Sequence, residues 1–258
     1  WVPLEYVAIV GLTIGGFVAS NDLKIIKTTV GALPGIFKGS KFTKVLYVDL
    51  LAMLFEVLAK VRKEGLMSIE NDVENPQDSP IFSKYPSLAG DHHVMEFITD
   101  YLRMMVGGNL NAIEIENLMD IEIETHHHEV ETPGHVVPKV ADAVPAFGIV
   151  VAVMGVVNVM GSVGGPPAVL GKMIGGALVG TFLGILIAYG FVSPVASLLE
   201  QKAQDGTKIY QVIKVVLLAS MSGYAPQVAV EFGRKTLVSG RRPTFRELEE
   251  ELKARKGK

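Results

Sequence analysis

The densest set of potential metal ligands in this sequence is the run His126, His127 and His128, followed by Glu129, Glu131 and His135. Clustered imidazoles and carboxylates can ligate zinc. Consecutive histidines point away from one another around a helix, however, and nothing nearby has the H-E-x-x-H spacing that sets two imidazoles on one face. The run reads as solvated, with no metal and no cofactor expected, and His92 and His93 carry still less signal. The sequence contains no cysteine, which excludes disulfides, thiolate chemistry and cysteine-ligated zinc.

A second chemistry is the passage of a proton or cation through lipid, which employs an ionisable side chain or a cluster of oxygen ligands. From Val144 to Val163 and from Met173 to Pro194 the chain has no charged residue. Glu5 is the only acid in an oily stretch and lies near its end, where snorkelling to an interface costs little. Lys172 has the same explanation. Asn158 and Thr181 lie within the uncharged stretches, where such groups ordinarily bond a nearby carbonyl. If ions pass here, another chain must bring the group that carries them.

The elements that position these residues follow from composition. With 258 residues, 49% apolar and 20% charged, the chain is too oily for an ordinary soluble domain and too charged for a protein wholly inside lipid. Its formal net charge of -3 and the lack of a strongly basic end give no reason to expect nucleic acid as a partner. Residues 1–20, 144–163 and 173–196 each approach the roughly 20 apolar residues that cross a hydrocarbon core. The expected fold is therefore an all-α integral membrane protein with three visible transmembrane helices and a helical cytoplasmic domain. The turn 164–172, "GGPPAVLGK", makes the last two a hairpin with a periplasmic tip. Parity puts 21–143 and 197–258 on one side. Lys24, Lys27, Lys38, Lys202, Lys208 and Lys214 follow the spans on that side, which makes it cytoplasmic.

In the cytoplasmic part, "FTKVLYVDLLAMLFEVLAKVRKEG" has helical apolar spacing from Phe42 to Val61 and needs a partner helix. Asn111 with Glu114, and Thr244 with Glu247, are capping-box signatures that open helices. Between the helices, "ENPQDSPIFSKYPSLAGD" reads as a connection with short helical turns.

Gly176, Gly180 and Gly184 recur every fourth residue, so one face of their helix is nearly bare backbone on which a neighbour can come close. Gly11 with Gly15, and Gly148 with Ala152, repeat the device. The ordinary reading is packing within one subunit; if the chain belongs to an ion-driven machine, these faces are where the partner's helix is expected to sit.

The segments "VPAFGIVVAVMGVV" from Val144, "LVGTFLGILIAYGFVSP" from Leu178, "GYAPQVAVEFGRKTL" from Gly223, "RPTFRELEE" from Arg242 and "SKFTKVLYVDLLAMLFEVLAKVRKEGLMSIENDVENP" resemble the MotA/PomA family, stator subunits of the bacterial flagellar motor. The resemblance runs over essentially the whole chain. It implies a non-enzymatic, multi-pass protein of the bacterial inner membrane. Its partners would be a MotB-like subunit bearing the ion-binding aspartate and the switch-complex protein of the rotor, with five copies expected around two partner copies. The family has four spans. This sequence starts at Trp1 and shows the last three, so an upstream span lost by truncation is the expectation. By the same resemblance Pro145, at the start of one span, and Pro194, at the end of another, couple ion flow to motion. Thr181 lies beside the ion path, and Arg62 and Glu70 meet rotor charges. The alternative is an energiser of the TolQ/ExbB kind, which powers outer-membrane transport and ordinarily has three spans; the long loop before the hairpin and the "GYAPQVAVEFGRKTL" tail favour the stator.

Overall fold

The computed structural model describes residues 3–256 apart from positions 109 and 162; Trp1, residue 162 of the second expected span and the last two residues lie outside the described residues. Every regular element among the described residues is helical. The chain divides into two compact units, residues 1–39 with 129–203, and residues 40–128 with 204–258.

The first unit begins with α1, Pro3–Ser20, and α2, Leu23–Ala32, whose first turn is capped by the Asp22 carboxylate accepting from the Ile25 amide at 2.8 Å. A longer helix, α7, spans Ala112–Met160, and its part from residue 129 onward belongs to this unit. The next helix, α8, spans Pro167–Ile187 with proline in its first turn, so the turn expected at 164–172 is already helical from Pro167. The π-helical turn Ala188–Val192 leads into α9, Ser193–Met221. Ile9, Val144, Val151, Leu183 and Ala188 form a small buried cluster where α1, α7 and α8 meet. Most of the apolar surface is not in it. The helical stretches Ala112–Met160 and Pro167–Met221 are long and apolar enough to cross a membrane, and only 28% of each apolar window is buried within the chain. Val153, Met154, Val157, Phe182 and Phe191 all face outward. An apolar surface of that extent is stable in lipid or against another chain, not in water. At 18 residues, α1 rises about 27 Å.

Two prolines lie within continuous helical paths. Pro145 does not open a helix. It lies inside α7, as do Pro133 and Pro138, and the helix continues through all three, although Pro145 removes the donor that would serve the Ala141 carbonyl. Pro194 does not close one. It is the second residue of α9, and the helical path continues to Met221. Its missing N–H deprives the Gly190 carbonyl, and the backbone absorbs the fault by widening into the π turn just before it.

The second unit carries the larger core. The helix α3, Lys44–Glu64, is capped by Thr43, whose hydroxyl accepts from the Leu46 amide. It buries Leu50, Met53, Leu54, Val57 and Leu58 of its apolar spacing and Tyr47, Leu51 and Phe55 besides, so its middle is enclosed on all sides, while Val45 is exposed. Gly65, at φ 87°, ends it in the left-handed backbone region that favours glycine. After a 3-10 turn, Leu66–Ile69, come the short α4, Glu70–Glu74, and α5, Pro86–Ala89, then α6, His92–Gly107. Buried Asp72 anchors this connection, accepting from Ser79 Oγ and Lys60 Nζ at 2.7 Å each. The remaining helices are α10, Pro226–Thr236, and α11, Phe245–Lys256. Phe97 packs against Tyr101 and Tyr210 with ring centroids 4.8 and 5.0 Å apart, at the centre of a cluster that also takes Val212, Val216, Val230 and Leu248.

Both capping boxes form. The Asn111 amide donates to Glu114 Oε2 at 2.8 Å and the Glu114 amide to Asn111 Oδ1 at 3.0 Å. The Thr244 amide donates to Glu247 at 2.6 Å and the Glu247 amide to Thr244 Oγ at 3.2 Å. Lys44, followed by Thr244, holds the Glu247 carboxyl well below its ordinary 4.5, at about 2. Because the folded value lies below the unfolded one, this contribution is present above pH 4.5 and is lost as the pH falls toward 2. Amide exchange in α11 is expected to accelerate across that window; unchanged protection would contradict the assignment.

Candidate functional site

The glycine rows read from sequence meet in one antiparallel hairpin. A Cβ placed on Gly148 of α7 would lie 2.7 Å from the Gly180 carbonyl oxygen and 3.0 Å from the Gly184 Cα of α8. One on Gly180 would come within 3.2 Å of the Ala152 amide nitrogen, and one on Gly155 within 2.9 Å of the Ala177 Cβ. Backbone therefore rests on backbone along three successive turns, a spacing that only residues without larger side chains allow. Gly180 and Gly184 are buried against α7 of the same chain, as in the ordinary reading of such a row. Gly176 is half-buried, and a Cβ there would find the Glu5 carboxylate of α1 at 3.8 Å. Gly11 and Gly15 of α1 have open space where a side chain would be.

Thr181 is half-buried beside Gly180, and its hydroxyl has no protein partner among the described residues. By contrast, Thr13 Oγ donates to the Ile9 carbonyl at 2.7 Å. Pro145 is half-buried and Pro194 exposed. The stretches that carry these residues remain free of charge, so the hairpin supplies shape, a hydroxyl and two helix irregularities, and no titrating group.

In the second unit, Arg62 closes α3 and Glu70 opens α4, with Gly65 and one 3-10 turn between them. Both are exposed. Arg62 Nη1 donates to the Gly223 carbonyl at 3.2 Å, which ties the guanidinium to the turn between α9 and α10 and leaves its other N–H groups available. Glu70 makes no hydrogen bond or ion pair with a described residue. Around this turn Tyr224 and Phe232 are partly exposed with ring centroids 5.3 Å apart, and Met67 is 63% exposed. Charges of both signs are thus displayed beside apolar side chains.

The histidines disperse. His126 meets Tyr210 edge-on at 4.6 Å, His127 Nδ1 is 2.9 Å from Thr207 Oγ, and His128 and His135 each face an acid one turn away. Among the described residues no three of the His, Asp or Glu side chains converge as metal ligands would.

Sequence reasoning missed Arg234. It is 7% exposed, donates to both Glu231 oxygens and reaches the Pro243 carbonyl at 2.9 Å, joining α10 to the segment before α11. Its position two residues after Phe232, on a helix with an otherwise apolar inner face, is the only signal the sequence offers.

Residues 1–65 match the family described as motility protein A N-terminal, and residues 90–212 match the MotA/TolQ/ExbB proton channel family. The chain is 53% identical over 252 residues to motility protein A of Escherichia coli (strain K12), covering 98% of this chain and 85% of that protein. Its fold matches the flagellar MotAB stator complex of Bacillus subtilis with a TM-score of 0.71 at 25% identity, over 89% of this chain and 82% of the other. It also matches C. jejuni MotAB at 0.74 and 22% identity, over 94% and 88%.

Proposed function

The chain belongs to the motility protein A family, and from that premise we propose that it serves as the stator subunit of a bacterial flagellar motor, forming with a MotB-like partner a complex that turns ion flow into torque on the rotor. The second matched family spans stator and TolQ/ExbB proteins alike and does not separate them; the match over residues 1–65 is to the motility protein alone. The observation that carries the mechanism is the uncharged, glycine-faced hairpin. A conducting path employs an ionisable side chain or a cluster of oxygen ligands, and these stretches hold no acid and only separate polar groups, Asn158 and Thr181 among them. The partner's aspartate takes that role, and several copies of this chain, five around two partner copies, enclose it in the inner membrane.

Occupation of that acid by an ion entering from outside neutralises it against an apolar wall beside Thr181, and release inward restores the charge. The cost of a charge in low dielectric makes the two states prefer different packing. Pro145 and Pro194 sit where α7 and the α8–α9 path lack regular hydrogen bonds, so these are the positions at which a change of packing bends the helices most readily. The bend moves the helical domain, and Arg62 and Glu70 engage charges on the rotor's switch-complex protein. Their use is steering and register more than affinity.

Expression in a strain lacking its own motility protein A is expected to restore swimming only when the partner keeps its acid. Arg62→Glu with Glu70→Lys is expected to reduce swimming severely, with partial recovery when the rotor charges are reversed; no recovery with any rotor charge change would exclude direct electrostatic contact. A deletion that left motility intact and blocked outer-membrane uptake would favour the TolQ/ExbB reading.

A further inference from the structure

In the first unit, α1 and α7 enclose a groove of about 390 Å³ that runs from Thr13 to Asn21. Gly16, Phe17, Val140, Ala143 and Phe147 give it apolar walls, and the Phe147 ring lies close to Gly16, where an added Cβ would meet it at 3.3 Å. Apart from Thr13, its polar groups gather at one end. There α1 finishes, and Ser20 and Asn21 share the wall with Lys139 of α7.

Most of that polarity is already engaged. The Thr13 hydroxyl donates to the Ile9 carbonyl at 2.7 Å, the Ser20 hydroxyl to the Phe17 carbonyl at 3.3 Å, and Asn21 Nδ2 to the Phe17 carbonyl and to Ser20 Oγ at 2.7 and 3.0 Å. Lys139 is the exception. It is exposed, is the only charged side chain in the lining, and makes no hydrogen bond or ion pair with a described residue, Asp142 on the same helix included. The groove therefore offers an apolar channel with a single ammonium at one end, its donors open.

Depth decides what reaches it. Lys139 comes five residues before Val144, where the charge-free stretch begins, about 7 Å of helix rise, and α1 ends beside it at Ser20. The ammonium thus stands at the headgroup layer while the apolar walls run into the hydrocarbon, the arrangement of a snorkelling lysine. Shape narrows the occupant further. From Thr13 to Asn21 the helix rises about 12 Å, so the groove has a mean cross-section of about 30 Å², against about 80 Å² or more for a helix about 10–12 Å wide. A single hydrocarbon chain enters such a groove; a helix of another subunit does not.

We infer that this groove binds an anionic phospholipid of the leaflet in which α1 ends, with one acyl chain between α1 and α7 and the headgroup phosphate on the Lys139 ammonium. A zwitterionic headgroup carries a phosphate too, but its own cation opposes the lysine. The inference rests on the chain spanning a membrane and is independent of torque generation.

The test is native mass spectrometry of the full chain with its partner, released from nanodiscs of mixed phosphatidylglycerol and phosphatidylcholine. Lipid retained on each copy of this chain is expected, with phosphatidylglycerol favoured. Lys139→Gln should lower that preference about fivefold, the effect of one basic residue at an anionic surface, while Lys27→Gln, also exposed and outside the groove, should leave it unchanged. Ala143→Trp fills the groove and should release lipid of either kind; if that bulkier variant does not fold, Lys139→Gln, at an exposed side chain, decides alone. An unchanged preference in Lys139→Gln overturns the proposal, as does an equal loss in Lys27→Gln, which would show only a general attraction of lysines to an anionic surface. Absence of retained lipid, or retention that Ala143→Trp leaves unchanged, overturns it as well, and an altered number of copies in that variant would give the groove to a second copy of the chain.

Discussion

Gly148→Leu is expected to abolish swimming while leaving the protein helical and inserted. The first carbon of any side chain at this position meets the Gly180 carbonyl oxygen at 2.7 Å and the Gly184 Cα at 3.0 Å. Both obstacles are backbone, so no rotamer change relieves them and α8 must separate from α7. Overpacking a well-fitted core ordinarily costs about 1–3 kcal/mol, and a leucine against backbone is expected at the upper end or beyond. Gly175→Ala supplies the comparison, because nothing lies within 4 Å of a Cβ there and alanine favours a helix over glycine by roughly 1 kcal/mol. Swarm diameter and cross-linking across the hairpin measure both variants. Equal motility in the two would mean that hairpin closeness has no bearing on torque.

Arg234→Ala should cost the second unit about 1.5–3 kcal/mol, the range for hydrogen bonds to charged groups, because the arginine is buried and the glutamate left behind is partly exposed. The substitution leaves Glu231 without its two hydrogen bonds and the Pro243 carbonyl without a donor. Against a typical total of about 5–15 kcal/mol, that is enough to lower the melting temperature substantially and reduce the protein present in cells. Arg234, first among the causes, holds the Glu231 carboxyl below its ordinary value. A carboxyl depressed in the folded state stabilises above its unfolded pKa and loses that contribution as the pH falls through the folded one. The native protein should therefore lose stability on acidification below pH 4.5, and the variant should lack that increment. A thermal shift under two degrees would contradict the role assigned to Arg234, on the expectation of several degrees per kcal/mol for a domain of roughly this size.

Local chemistry made the second unit's helices legible. The apolar stripe of α3 and the capping pairs Asn111 with Glu114 and Thr244 with Glu247 depend on neighbours within a turn or two, and sequence spacing contains that information. The continuity of the helices through Pro145 and Pro194 is not legible, for the opposite reason. A proline ends a helix when its lost hydrogen bond is uncompensated, and whether packing or a π turn compensates it is decided by distant residues. The same holds for Gly180 and Gly184, whose row declared a close approach while the approaching face, Gly148 to Gly155, lay some thirty residues away in the chain. Tyr47 and Arg234 have no local signature at all. One is an aromatic in an apolar stripe and the other a basic residue in a helix's last turn, and only the assembled core encloses them.

The central claim is that this chain supplies the fitted wall and the lever, and the partner supplies the group that titrates. Ion flux into liposomes, driven by an imposed potential and measured for the chain alone, for the complex and for the complex with the partner's aspartate replaced by asparagine, tests it directly. Flux is expected from the intact complex only. A selective cation current from the chain alone would contradict the account.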